Sequence, residues 1–290
     1  MITCLSALGA ILSLGGNILI AKKKKSGWLI IRTTKVPYAG TFDGQGHTIT
    51  GLKMTDTNSE RDNNIGLFSS NEGTIKNVTI VDADITISTT GKTVSQGAIA
   101  GKNSGTIINC HIINSTMDNY SAGVPSKVGG IVGDNSGTID GCTNEGGRCV
   151  VRSLSEIVGG IAGSNSGTIK NCENTAKVEN TYDALSLTNH TGGICGAGDN
   201  GKIENCFNGG EVTGKSGNVG AIAGTTNNKT EVDDCAWDNT KTDAPGLGNG
   251  AGQESNVNGY TTEEIESGAI EKDSTGTLVV NHTVNKYDYC

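Results

Sequence analysis

The stretch Gly160-Ile161-Ala162-Gly163-Ser164-Asn165-Ser166-Gly167-Thr168-Ile169-Lys170-Asn171-Cys172 decides the fold of this 290-residue chain, because edited copies of it recur along most of the sequence. The copies run from Gly66 to Val78, Ala98 to Cys110, Gly130 to Cys142, Gly160 to Cys172, Gly193 to Cys206 and Ala221 to Cys235. Their last positions are 32, 32, 30, 34 and 29 residues apart. A period of this size marks a solenoid or array, in which one repeat cannot bury its own apolar face and needs a neighbour on each side.

Two columns of the repeat are apolar and mostly β-branched: Leu67, Ile99, Ile131, Ile161, Ile194 and Ile222, then Ile75, Ile107, Ile139, Ile169, Ile203 and Val232. Such residues in short runs bounded by Gly, Asn, Ser and Thr predict strands, and no stretch of the repeat is long enough for a helix. A third column, Asn77, Asn109, Gly141, Asn171, Asn205 and Asp234, holds only the types that enter left-handed backbone conformation at least cost. It predicts a corner with positive φ at the same place in every repeat, after which Ile169 and Cys172 both point inward. Asn side chains stacked there are expected to bond from rung to rung. The Asn-x-Gly triplets at Asn71, Asn103, Asn135 and Asn165 predict a second corner, and a third strand such as Ala176 to Asn180 returns the chain.

Three strands and their corners in 30 to 34 residues predict an all-β, right-handed parallel β-helix of about seven coils with a C-terminal cap. Rungs ~4.8 Å apart give a rod of roughly 30 to 35 Å. The division expected is an apolar leader with a Lys run over 1–27, the β-helix over 28–240 and a cap or linker over 241–290. A capping box at Thr261 to Glu264 predicts a short helix in the cap.

These repeats resemble the GLUG repeat, named for Gly-Leu-hydrophobic-Gly. Gly130-Ile131-Val132-Gly133, Gly160-Ile161-Ala162-Gly163 and Gly193-Ile194-Cys195-Gly196 carry the signature with Ile for Leu, while Gly66-Leu67-Phe68-Ser69 keeps the Leu and loses the last Gly. Gly40 to Ile49 resembles the leading coil before such repeats, and Cys235-Ala236-Trp237-Asp238 with Thr261 to Ile265 resembles their ending. The resemblance implies a β-helical scaffold of bacterial surface proteins, including adhesin-like chains and the non-catalytic region of immunoglobulin A-cleaving metallopeptidases. It is specific for fold and weak for activity, because one scaffold serves many functions.

Forty-four Gly, 3 Pro and 4% aromatic residues imply a lean core of stacked Ile, Val, Ala and Cys. The net charge of −8 disfavours nucleic acid, which rewards a basic stripe. The one concentrated basic run, Lys22 to Lys25, follows an apolar stretch, residues 2–21, of the length of a membrane span, so membrane anchoring through that segment is an expectation. Placing the charges after the apolar stretch conflicts, by the positive-inside rule, with an outside location for the rod.

Candidate sites are few. Cys110, Cys142, Cys172, Cys206 and Cys235 share one column with Val78, which reads as a small buried position. Cys4, Cys149 and Cys290 fall outside it. There is no Cys-x-x-Cys pair, no His-Glu-x-x-His motif and no clustering of His47, His111, His190 and His282, so no metal and no cofactor is expected. In Val81 to Ser88, strict alternation puts Asp82 and Asp84 on one strand face about 7 Å apart, the catalytic candidates of a carbohydrate-active reading. The same pair also describes a solvated strand. The column Phe68, Ala100, Val132, Ala162, Cys195 and Ala223 becomes a flat partner surface if alternation turns it outward.

The function expected is a non-enzymatic, extracellular or cell-surface, adhesin-like module. It is expected as a monomer or weak self-associate that presents the inserts Thr116 to Lys127, Glu145 to Glu156 and Asn180 to Thr191 to a host or bacterial surface protein or glycan. The alternative is a β-helical polysaccharide lyase, hydrolase or phage-type depolymerase.

Overall fold

The computed structural model describes residues 10–14, 17–21, 36–56, 64–89, 93–121, 126–146, 150–153, 157–181, 189–215, 217–250, 252–273 and 278–280. From Thr41 onward the chain winds as an all-β parallel solenoid in which each turn crosses five sheets. One turn shows the path: Thr138–Asp140 in sheet I, Thr143–Glu145 in sheet II, Val150–Ser153 in sheet III, Ile157–Gly159 in sheet IV and Ala162–Asn165 in sheet V. Sheets I to V hold eight, eight, six, six and seven strands among the described residues. The number of rungs therefore runs from six to eight with the sheet followed, where about seven coils were expected. Five short strands replace the three predicted per turn, because the Asn, Asp and Gly corners are more numerous than the sequence columns suggested.

The superposition of like residues is direct. In sheet I, Phe42, Ile75, Ile107, Ile139, Ile169, Ile203 and Val232 are consecutive register partners, and all are at most 4% exposed. Burying one such side chain contributes about 1.5–3 kcal/mol, so stacking the rungs supplies what no single rung has. The predicted positive-φ column is present at Asn77, Asn109, Gly141, Asn171, Asn205 and Asp234, with φ between 48° and 61°. A second such column, at Gly51, Asp82, Asn114 and Gly146, turns the chain from sheet II into sheet III.

Rung-to-rung amide bonding is most continuous at the Asn-x-Gly corner. Asn71 Nδ2 donates to Asn103 Oδ1 at 2.8 Å, Asn103 to Asn135 at 2.8 Å and Asn135 to Asn165 at 2.7 Å, all buried. In the column where the ladder was expected, Asn109 donates to Asn77 at 2.9 Å and Asn205 to Asn171 at 3.4 Å, and Gly141 interrupts the series. A further buried ladder lies in sheet II. Its inward column reads Ile49, Ile80 and Ile112, then Asn144, Asn174 and Asn208, then Trp237. Asn144 donates to Asn174 at 3.1 Å and Asn174 to Asn208 at 2.8 Å.

Bulky side chains close the ends of this narrow core. Phe68 occupies the column that Ala100 continues, and it packs against Tyr38 and Phe42 with ring centroids 5.1 and 5.3 Å away. At the other end Leu247 takes over from Ala223, and Trp237 and Val257 pack on the same core. The ladder continues past residue 240 through Leu247–Gly250, Gln253–Ser255 and Asn258–Tyr260. The capping box is formed: Thr261 Oγ1 accepts from Glu264 N at 3.2 Å and Glu264 Oε2 accepts from Thr261 N at 2.8 Å. The helical turn Thr262–Glu264 leads to a small second core of Phe207, Ala236, Tyr260 and Ala269.

Within residues 2–21 the structure describes an antiparallel pair, Ala10–Leu14 with Asn17–Ala21. Among the described residues no helix is long and apolar enough to cross a membrane.

Candidate functional site

Sheets IV and V fold against each other at the repeated Gly-Gly-hydrophobic step, and glycine is what permits it. The strand Lys127–Gly129 passes through Gly130 and Ile131 into Val132–Asn135. A Cβ on Gly163 would lie 2.6 Å from Val128 N and 2.7 Å from Gly133 O; one on Gly129 would overlap the Val132 carbonyl oxygen. Only a residue without Cβ lets the two backbones meet so closely. The walls form a re-entrant angle bridged by an ion pair, with Lys127 Nζ on one side 2.8 Å from Asp134 Oδ1 on the other.

A groove of about 290 Å³ lies along this angle, lined by Lys102, Asn103, Lys127, Asp134 and Asp199 and by five serines, Ser70, Ser104, Ser136, Ser164 and Ser166. Register places its groups in two rows. Ser70, Lys102, Asp134 and Ser164 follow one another on consecutive strands of sheet V. Ser104, Ser136 and Ser166 come next to the laddered asparagines at the following corner, and all three are exposed. Lys102 is exposed and has no ion-pair partner among the described residues. The lining is thus rich in hydroxyls and balanced in charge, on a frame held by the buried amide ladder beneath it. In the sequence a serine at a corner looks like turn chemistry, which hides the row. Its signal was the polar column Ser70, Lys102, Asp134, Ser164 beside a glycine column.

The carboxylates singled out from sequence are separated by a corner. Asp82 sits at φ 54°, outside both Thr79–Val81 and Asp84–Ile87, so the alternation that would align it with Asp84 is broken. Asp84 bonds Lys53 Nζ at 2.7 Å and accepts from Thr86 Oγ1 at 3.0 Å. The Lys53 ammonium holds its carboxyl below the ordinary range, which favours the ionised form over a proton donor. Of the histidines, His111 bonds Thr143 and Asn109 on the outside of the coil, while burial lowers the pKa of His190. His282 lies outside the described residues. Among the described residues no group of three His, Cys, Asp or Glu is placed to hold a metal ion.

The column Phe68, Ala100, Val132, Ala162, Cys195 and Ala223 faces inward, each at most 1% exposed. The bend at the Gly-Ile step breaks strict alternation, so both residues after the glycine enter the core, and no outward apolar stripe results. The proposed recognition inserts hold residues 122–125, 147–149, 154–156 and 182–188, which lie outside the described residues.

Cys110, Cys142, Cys172, Cys206 and Cys235 are buried free thiols, as is Cys195; Cys4, Cys149 and Cys290 lie outside the described residues. The Sγ atoms of Cys172, Cys206 and Cys235 donate to the carbonyl two residues back at 3.1, 3.2 and 3.2 Å. Burial pushes the Cys195 thiol up to about 12 and those of Cys142, Cys172 and Cys206 well above their usual value. All six lie buried out of a reagent's reach, so they should resist a thiol reagent in the native protein and all react in denaturant. Peptide mapping after alkylation checks this, and rapid native labelling of Cys172 would contradict it.

Residues 155–179 match a family described as the GLUG motif. A search of curated proteins finds no match. Among solved structures the chain is similar to one described as "a putative immunoglobulin A1 protease from Bacteroides ovatus", with a TM-score of 0.43 and 17% identity, over 87% of this chain and 80% of that one. The matched segment visits sheets IV, V, I, II and III in turn. One complete turn of this parallel solenoid therefore carries a GLUG motif, and Gly163 within it is one of the glycines that let sheets IV and V approach.

Proposed function

We propose that the chain is a bacterial cell-surface or secreted binding module, adhesin-like and non-catalytic, whose recognition surface is the re-entrant face between sheets IV and V. The observation that carries this reading is the groove itself, a continuous polar surface built across several rungs and fixed by the ladder beneath it. The ion-paired state of Asp84 and the corner position of Asp82 argue in the same direction, since neither arrangement resembles a paired acid and base. Partners of this class are surface proteins or glycans, and the resemblance to GLUG repeats of bacterial surface proteins supports the setting.

The purified chain should bind bacterial or host cell surfaces saturably and lose that binding when Lys102 and Asp134 are both replaced by Ala. A parallel assay for new reducing ends or unsaturated sugars, over a range of polysaccharides, should stay blank. Product formation abolished by Asp84→Ala would establish the enzymatic alternative instead, and the absence of saturable binding would remove the binding role.

A further inference from the structure

We infer that the groove takes a neutral saccharide chain laid along the solenoid axis, a deepening that rests on the binding-module reading above. The inference follows from which hydrogen-bonding capacity remains on offer. Ser104 Oγ donates to Asn71 O at 3.3 Å, Ser136 Oγ to Asn103 O at 3.3 Å and Ser166 Oγ to Asn135 O at 3.4 Å. A hydroxyl has one proton and two lone pairs, so in this rotamer each serine points its proton at the preceding rung and turns acceptors outward. Three rungs thus display three like acceptors at the ~4.8 Å strand spacing.

The carboxylates extend the same bias. Asp134 accepts from Lys127 and Asp199 Oδ1 accepts from Asn227 Nδ2 at 2.7 Å, and an ionised carboxylate only accepts. A ligand that satisfies this row must supply donors at regular intervals, as the hydroxyls of a saccharide chain do. Chains of phosphate or sulfate supply acceptors alone and would meet the aspartates as like charges. Lys102, without an ion pair among the described residues, supplies the complementary donor to a ring or bridging oxygen. Among the described residues no aromatic ring lines the groove, so recognition proceeds through hydrogen bonds to sugar edges, spread over several sugar units.

The test is calorimetric titration of the full chain with neutral oligosaccharides of glucose, mannose and galactose, with heparin and polyphosphate as acidic comparators. The expected result is binding to at least one neutral series, weakened about tenfold or more in the triple variant Ser104→Ala, Ser136→Ala, Ser166→Ala. Each carbonyl keeps the same serine's backbone N–H as a donor at 2.8 Å, so the variant should melt close to the parent, which separates a lost site from a lost fold. Unchanged affinity in the triple variant, stronger binding of heparin or polyphosphate, or no saccharide binding at all would overturn the inference. Cell-surface binding that persists alongside any of these results would leave the binding-module reading standing, whereas cleavage of the oligosaccharides would remove that reading too.

Discussion

Replacing Gly160 by Ala should cost roughly 3 kcal/mol or more of stability, a large effect for a single methyl group. A Cβ there would overlap the Gly193 carbonyl oxygen of the next rung and the side-chain amide of Asn174. Neither can retreat. The carbonyl belongs to a packed backbone, and Asn174 is held by Asn144, Asn208 and the Ala176 carbonyl. The Gly160 carbonyl also accepts from Asn144 Nδ2 at 3.0 Å, so a shift of this backbone loosens the ladder as well. Gly141→Asn provides the contrast. That glycine has φ 61°, a Cβ added to it would meet no atom within 4 Å, and the same column carries Asn109 and Asn171. It should be neutral or stabilising by a few tenths of a kcal/mol, because Asn tolerates the left-handed region and loses less chain entropy than Gly. Urea denaturation of both variants decides the matter, and a Gly160→Ala protein within about 0.5 kcal/mol of the parent would show that the solenoid yields where this packing says it cannot.

Asn135→Ala should destabilise by about 2 to 4 kcal/mol, through polar groups left without partners. Asn135 lies in the middle of the buried ladder, accepting from Asn103 Nδ2 and donating to Asn165 Oδ1 and to Gly137 O at 3.2 Å. Truncation removes its own bonds and takes an acceptor from Asn103 and a donor from Asn165. Each loss falls in a buried site, where an unmet donor or acceptor costs more than the bond is worth in solution. Asn77→Ala, on the outer and more exposed column, should cost less, since solvent can replace what is lost. Hydrogen exchange should show loss of protection centred on the rungs next to Asn135 and fading along the axis, as nearest-neighbour coupling requires. Equal effects from the two substitutions would mean that burial of the inner ladder contributes nothing.

The winding was legible in the sequence because stacking repeats one local environment, so every column shows its constraint six times over. Isoleucine at 107, 139 and 169, and Asn or Gly at 109, 141 and 171, give the core and the corner without further information. Features set by contacts between sheets were not visible in that way. The re-entrant angle depends on glycines meeting the backbone of another strand, and in sequence a glycine needed for close approach looks like one needed for a turn. Asp82 misled for a related reason: its left-handed corner follows a three-residue strand, too short for alternation to be read across it. The groove escaped notice because Ser136 and Ser166 become a row only when rungs are superposed.

The inward column of sheet II changes from isoleucine to asparagine between Ile112 and Asn144, and this divides coils that otherwise look interchangeable. A duplication or excision of one turn that joined like to like would preserve both halves. A duplication that spanned the boundary would instead place Ile112 after Asn144 and add further contacts of amide against methyl to the one that exists. Coils can therefore be added within either half without creating a new boundary, and the junction at Ile112 and Asn144 marks where the two kinds of core meet.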